Sequence, residues 1–358
     1  MSEKVLVTGG TGTISSGLVE ECVQCGYDTY AITRGNMKYR EVDGVHYIYS
    51  DVNDTNKILN QLKGMRFKAV FECLAYTVPQ LINSLQLYAD KCEQYFFISS
   101  TAVYNRKDGI ISEDDEKNLL SWSYSKDKIA CEEYLKFYSE KSGLNYTIIR
   151  PSVTYGNYRI PFPVTSRANQ WSLIQRIVDG DPVLSIKIPK LSYSIIHISD
   201  FSRAVVKLIG NEKAINQDFH IADAKCEYDW DEVIYAIAKA LSKEAEIVHV
   251  PLPVFKTTFA RSYDELRWNK SEDLRLDDTK LKSATGFEAR MPLEEGISLM
   301  VANLRVEYEK YNTSLDMSWN RCCDHTIMAG YSLGMVDESE AEIVQKYMSK
   351  LKNTTYFD

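Results

Sequence analysis

Short β-prone runs alternate with amphipathic stretches through the first half of the chain. Val5, Leu6 and Val7 form the first apolar run, a glycine-rich turn follows, and Ile14 to Cys22 has largely helical spacing. The helix is read over Gly17 to Cys25 and ends at Gly26; Tyr27 to Thr33 then reads as a second strand. Val45 to Tyr49 supplies a third strand, "NKILNQLKG" a helix stopped by Gly64, "KAVFECLAY" a buried strand and "PQLINSLQLYADKC" another helix. The run "QYFFISSTAVY" starts apolar and ends polar, as expected of a parallel strand covered by helices whose carboxyl end opens into a ligand crevice. Lys126 to Glu140 reads as a helix, and "NYTIIRPSVTYG" buries Ile148 and Ile149 before Pro151 redirects the chain.

This alternation predicts an α/β protein: a doubly wound parallel-sheet Rossmann domain with a smaller C-terminal α/β domain. The first domain is placed at 1–156. Residues 157–192, where the pattern turns irregular and richer in Pro, Gly and basic side chains, are assigned to the second domain. "YSIIHISDFSRAVVKLIG" returns the chain to the first domain over 193–225, and 226–358 completes the second with a helical C-terminal extension. No fixed-period repeat is evident.

Composition narrows the class. With 44% apolar and 26% charged residues, the 358-residue chain has the balance of an ordinary globular protein rather than a disordered one. Its net charge is −8, with 42 Lys or Arg against 50 Asp or Glu, and it has no extended basic arm, which disfavours non-specific nucleic-acid binding. The eight cysteines are dispersed without a compact disulfide framework and are read as reduced. Cys322 and Cys323 adjoin Asp324 and His325, but a packed helical segment is favoured there over a zinc site, and no metal is assigned. No uninterrupted apolar segment is long enough to span a membrane and no secretion signal is read, so the expected location is cytoplasmic.

Two constellations carry chemistry. In "KVLVTGGTGTISSGL", Lys4 to Leu18, a strand meets a tight glycine turn and then a helix, an arrangement that aims backbone N–H groups at an anion. Ser15 stands where a third glycine is expected, so the site is either slightly wider there or uses the hydroxyl as a donor. The second constellation is Ser100 in "SSTAVYN" with Tyr124 and Lys128 in "YSKDK". Tyr124 and Lys128 are one helical turn apart and share a face. A neighbouring ammonium favours the phenolate, which makes proton exchange at a sugar or alcohol oxygen feasible near neutral pH. Ser100 adds a short hydrogen bond from its strand end while nicotinamide exchanges hydride at the same carbon.

In their joint order, "VTGGTGTIS", "CLAY", "ISSTAVY", "YSKDK", "IIRPSVTYG" and "HISDFSRAV" resemble the extended short-chain dehydrogenase/reductase superfamily, in particular its NAD(P)-dependent epimerase/dehydratase branch, over about Val5 to Leu304. The resemblance implies a nucleotide-binding fold, a C-terminal substrate domain and a homodimer. It implies Ser100, Tyr124 and Lys128 as the catalytic set. It implies Gly9, Gly12, Asp51, Ala75, Lys128, Pro151 and Ser152 as cofactor contacts, with Asn83 a polar structural position behind them; Thr11, Thr13, Ile14, Arg34, Val52 and Leu74 are expected at the same cofactor site. "VTGGTGTISSG", "HISDFSRAV" and the tail "WNRCCDH" also resemble a bacterial epimerase-like branch, to which plant chloroplast proteins linked to RNA are broadly related, so an RNA-binding or regulatory protein on the same fold is the alternative.

Arg34 ends the second strand in "AITRGN", near the position where NAD enzymes often carry a carboxylate. There it suits a 2′-phosphate, which tilts the NAD(P) reading toward NADP, with NAD still open. Asp51 is read as an acceptor for the adenine amino group, or else as a turn cap. Dehydratases of the resembled family place an Asp–Glu pair directly after the hydroxyl residue; Thr101 and Ala102 stand here instead, so the expected reaction is epimerisation or reduction of a nucleotide-activated sugar. Arg159, Lys187 and Lys190 are considered for a substrate diphosphate, Phe162 and Trp171 for stacking, and His197 with Asp200 for positioning. For each of these a solvated, packed or capping role is weighed beside the functional one.

Overall fold

The computed structural model describes residues 2–106, 109–117, 122–225 and 227–353. Cys226 and the last five residues of the helical extension lie outside them. The chain forms two compact units: 1–154, 194–227 and 274–291 in the first, and 155–193, 228–273 and 292–358 in the second.

The first unit is built on β1 (Lys4–Thr8), β2 (Asp28–Thr33), β3 (His46–Tyr49), β4 (Phe67–Glu72) and β5 (Cys92–Ile98), joined by strands Tyr146–Pro151 and Gln217–Ile221. The seven strands lie in the order Gln217–Ile221, Tyr146–Pro151, β5, β4, β1, β2, β3. All six strand pairs are parallel. After β3 the chain crosses to the other side of β1, so the order reverses between β1 and β4, and a doubly wound sheet binds ligands at the carboxyl ends of such strands.

Alternation along each strand feeds two cores. Val5, Val7, Phe71, Phe96 and Ile149 face one way, onto Leu18 and Val19 of α1 (Thr13–Gln24) and Phe201 of helix Ile198–Val206. Leu6, Val70, Phe97 and Ile148 face the other, onto Ile58 of α2 (Thr55–Gln61), Leu81 and Leu85 of α3 (Val78–Tyr88), and Leu135 of α4 (Ser123–Ser142). Burial on both faces explains why the strands read as nearly continuous apolar runs.

α1 begins at Thr13, four residues before its sequence-based start, with Gly12 as N-cap. The close approach between α1 and helix Ile198–Val206 falls at Gly17, where a Cβ would stand 2.6 Å from Ser202 Oγ and collide with Ile198. The helix-packing glycine is thus two residues beyond the position held by Ser15.

Residues 274–291, read from sequence as part of the second domain, belong to the first unit. Strand Arg275–Leu276 pairs with Ile110–Ile111, and the buried Asp200 carboxylate accepts the N–H groups of Arg290 and Met291 at 2.8 Å each. Asp200 is therefore a structural anchor, and His197 caps its helix by accepting the Ser199 N–H at 3.3 Å.

The second unit is largely helical around a two-stranded parallel sheet, Val183–Lys187 with Ile247–Pro251. Residues 157–191 are more regular than their composition suggests, holding helix Trp171–Asp179 and strand Val183–Lys187. Phe162 and Trp171 are core residues, and Trp171 stacks on Tyr308 at 5.5 Å. Helix Met317–Ser332 buries Trp319 and Cys323, and Asp324 pairs with the buried Arg176 at 2.9 Å. Cys22, Cys25, Cys73, Cys92, Cys131, Cys322 and Cys323 are free thiols. Among the described residues no group of three or more His, Cys, Asp or Glu is placed to hold a metal, and no helix is long and apolar enough to cross a membrane.

His249 lies between two carboxylates, Nδ1 2.6 Å from Glu340 and Nε2 3.0 Å from Asp231. Burial opposes its charge, but the hydrogen bonds to Asp231 and Glu340 prevail and raise it from 6.5 to about 9. Because the folded value is raised, the stabilisation is complete below pH 6.5 and is lost as pH climbs through 9. Thermal unfolding across that interval is expected to show wild type losing about 1–3 kcal/mol that His249→Gln does not lose. Gly17→Val, which drives a branched side chain into Ile198 and Ser202, is expected to lower stability by about 1–3 kcal/mol in urea unfolding.

Candidate functional site

Three loops meet at the carboxyl ends of β1, β4 and β5. After β1, Gly9 and Gly10 take φ of +107° and +92°, a conformation in which L side chains are strained. A Cβ at Gly10 would also stand 2.9 Å from the Cβ of Ala31 on β2. Ser15 Oγ accepts the Gly12 N–H at 3.1 Å, so the hydroxyl tightens the turn from within. Thr11 lies in the turn, Thr13 and Ile14 begin α1, and the N-cap residue, Gly12, has no side chain to accept from the first turn. The first N–H groups of α1 are left to an external acceptor.

After β4, the loop of Cys73, Leu74 and Ala75 is fixed from below. The Thr8 hydroxyl accepts the Cys73 N–H at 2.8 Å, and Glu72 Oε1 accepts the N–H groups of Leu74 at 2.6 Å and Ala75 at 2.9 Å. After β5, Ser100 Oγ accepts the Ala102 N–H at 3.1 Å, capping a short turn. That bond uses its acceptor side and leaves its proton to be donated.

α4 starts at Ser123, three residues earlier than the sequence pattern implied, which places Tyr124 in its first turn and Lys128 one turn on. Lys128 is 2% exposed, and its ammonium donates to the carbonyls of Ala75 and Ile98 at 2.8 Å each. Burial lowers it to about 8, opposed by surrounding groups that include Glu72 and Glu132, so it is protonated at neutral pH. Tyr76 lies between the two α4 residues: its ring centroid is 6.4 Å from that of Tyr124 and 4.9 Å from Lys128 Nζ. Trp122 flanks Tyr124 on another side at 4.8 Å. Tyr76, Trp122 and Glu72 were not singled out from sequence; a lone carboxylate inside the apolar run of β4 was the available signal for Glu72.

Arg34 and Asp51 are exposed at the ends of β2 and β3. The Asp51 carboxylate accepts the Asn53 N–H at 2.9 Å and Nδ2 at 2.8 Å; those bonds and the Arg34 charge hold its pKa below the ordinary value. Asn83 Nδ2 holds the Val52 carbonyl at 3.2 Å. The Pro151 carbonyl accepts the Thr101 hydroxyl at 3.0 Å. Ser152 Oγ is buried without a hydrogen-bond partner among the described residues. Lys187 and Lys190 sit in the second unit and pair there with Asp337 at 2.6 Å and Asp229 at 3.2 Å.

These residues fit a nicotinamide dinucleotide. Glycines line the turn where side chains would collide, uncapped N–H groups suit a pyrophosphate, and the orphaned Ser152 hydroxyl awaits a polar partner.

Residues 5–222 match the NAD dependent epimerase/dehydratase family. The chain is 25% identical over 321 residues to a UDP-N-acetyl-alpha-D-glucosaminuronate decarboxylase of Bacillus cytotoxicus, covering 83% of this chain and 96% of that protein. It is 28% identical over 316 residues to a chloroplast stem-loop binding protein of 41 kDa of Arabidopsis thaliana, covering 83% and 78%. A solved UDP-glucose 4-epimerase of Thermus thermophilus in complex with NAD shares its fold, with a TM-score of 0.68 at 20% identity over 84% of this chain and 99% of the other. With a doubly wound sheet and a glycine loop at its switch point, the chain belongs to the NAD dependent epimerase/dehydratase family.

Proposed function

We propose that the protein is an NAD(P)-dependent epimerase of a nucleotide-activated sugar. The observation that carries this reading is the joint placement of Tyr124 and Lys128 on the first turns of α4, with the Lys128 ammonium held at the carboxyl ends of β4 and β5. The dinucleotide supplies the acceptor and donor of hydride when bound. The glycine turn and the start of α1 bind its pyrophosphate, and Arg34 faces its adenosine end. Two Lys128 protons are taken by the Ala75 and Ile98 carbonyls, and the third serves a ribose hydroxyl. The same charge favours the Tyr124 phenolate. Tyr124 Oη takes the proton from a substrate hydroxyl and returns it, and Ser100 donates to the same oxygen.

Thr101 spends its proton on Pro151, and Ala102 carries no ionisable group, so the acid–base pair needed to eliminate water is missing from that turn. Epimerisation is favoured over reduction by the epimerase among the related folds, and a homodimer is the assembly the family resemblance implies. The RNA-binding reading is not favoured: a net charge of −8 works against a polyanion.

Native mass spectrometry of gently purified protein tests the reading, since a retained nicotinamide dinucleotide and nucleotide sugar are the expected small molecules. Failure to bind either NAD or NADP would overturn it. Tyr124→Phe is expected to cut kcat by roughly 10²–10⁴-fold while dinucleotide affinity and unfolding temperature stay unchanged, as steady-state kinetics and fluorescence titration would record. Arg34→Ala is expected to weaken NADP by about 10-fold or more and NAD by much less. Equal losses for the two cofactors in a binding titration would remove the 2′-phosphate role.

A further inference from the structure

We propose that Glu72 is a positioning residue for Lys128: its buried carboxylate fixes the turn that offers Lys128 a carbonyl, and its negative charge sustains the ammonium. Glu72 ends β4 and is 3% exposed. A carboxylate removed from water costs several kcal/mol unless its oxygens are satisfied, so its partners say what it is for. Oε1 accepts the Thr8 hydroxyl at 2.9 Å together with the N–H groups of Leu74 and Ala75. Oε2 accepts the Ser84 hydroxyl at 2.5 Å, and Ser84 is joined in turn to the Tyr95 hydroxyl at 2.7 Å. Thr8 also binds the Cys73 N–H, so three successive peptide groups after β4 are set by Glu72 and its partner. The Ala75 carbonyl, in the next peptide group along, leaves this fixed stretch toward Lys128 Nζ, with the Tyr76 N–H of that group held by Gln80 Oε1 at 2.8 Å.

The electrostatic half follows by elimination among the groups around Lys128. From its own helix these are Tyr124, Cys131 and Glu132; from the ends of β4 and β5 they are Glu72, Cys73, Tyr76 and Phe97. Burial pushes the Cys131 thiol up to about 11 and the Cys73 thiol well above its usual range, so both are neutral at pH 7. Glu132 is already matched by Arg150 at 2.8 Å and Lys117 at 2.9 Å. The partners of Glu72 are hydroxyl and N–H groups, so of the two carboxylates its charge is the one not already spent on a nearer cation.

The catalytic weight of this coupling rests on the function proposed above, but the coupling is measurable without turnover. Glu72→Gln keeps the geometry. Its amide oxygen still accepts from Thr8, Leu74 and Ala75, and its NH₂ donates to Ser84, whose own proton turns to Tyr95. The charge is lost, and one hydroxyl proton of the buried Ser84–Tyr95 pair loses its acceptor. ¹³C NMR of ¹³Cε-lysine-labelled protein, with the Lys128 signal assigned by Lys128→Arg, is expected to show the Lys128 midpoint falling by about one unit or more in Glu72→Gln. Glu72→Asp, which keeps the charge, is expected to restore most of that shift. The alkaline limb of kcat should move by the same interval, a change that loosened packing alone does not produce. An unmoved midpoint in Glu72→Gln overturns the proposal. So does a wild-type midpoint below about 6, where burial without an anion puts a lysine, and that measurement needs no variant to fold. Because these titrations use no substrate, they stand even if the sugar reaction is wrong.

Discussion

A buried ammonium must be answered by acceptors, and in the first unit that requirement joins three elements. Lys128 reaches from α4 to the carbonyls at the ends of β4 and β5, so neither loop can drift without stranding a charge away from water. Those loops carry Leu74, Ala75 and Ser100 beside the turn after β1. The geometry of the candidate site is therefore held by electrostatics at one amine as much as by the apolar layers on either side of the sheet.

The layers themselves were plain in the sequence. A parallel sheet covered on both faces needs apolar side chains at successive positions, and Val5-Leu6-Val7 or Tyr95 to Ile98 admit few other readings. The glycine turn was equally legible, because positive φ at Gly9 and Gly10 is a backbone demand that leaves a trace in residue type. What the spacing could not give was which glycine serves which contact. Gly17 meets helix Ile198–Val206, a segment some 180 residues away along the chain, and nothing local announces that. The adherence of 274–291 to the first unit rests likewise on Asp200, a distant carboxylate that gathers two backbone N–H groups.

α4 shows the limit of hydrophobic periodicity most clearly. Its buried face includes Ser125, Lys128, Glu132 and Ser139 among the apolar positions, so the inward side does not look inward when read by apolar content. Glu132 is answered one turn beyond Lys128 by Arg150 and Lys117, with Ser99 donating at 2.6 Å. The helix is pinned to the sheet by two charged centres of opposite sign in succession. A helix start read at Lys126 fell short of Ser123 for that reason: the first turn is fixed by its polar and aromatic neighbours, not by an apolar stripe.

The same polar bookkeeping bears on the class of reaction. Eliminating water asks for one group to remove a carbon-bound proton and another to protonate the departing hydroxyl, beyond the residue that handles the redox oxygen. In the turn after β5, Ser100 retains a proton to donate, Thr101 has given its own to Pro151, and Ala102 is a buried methyl group. That turn can serve a single oxygen. In the proposed reaction Tyr124 on the facing helix serves that same oxygen, and Lys128 tunes it without touching a carbon-bound proton. On that proposal the site manages one alcohol and its carbonyl counterpart, which is the whole acid–base requirement of turning over a stereocentre through oxidation and return, and less than a dehydration requires.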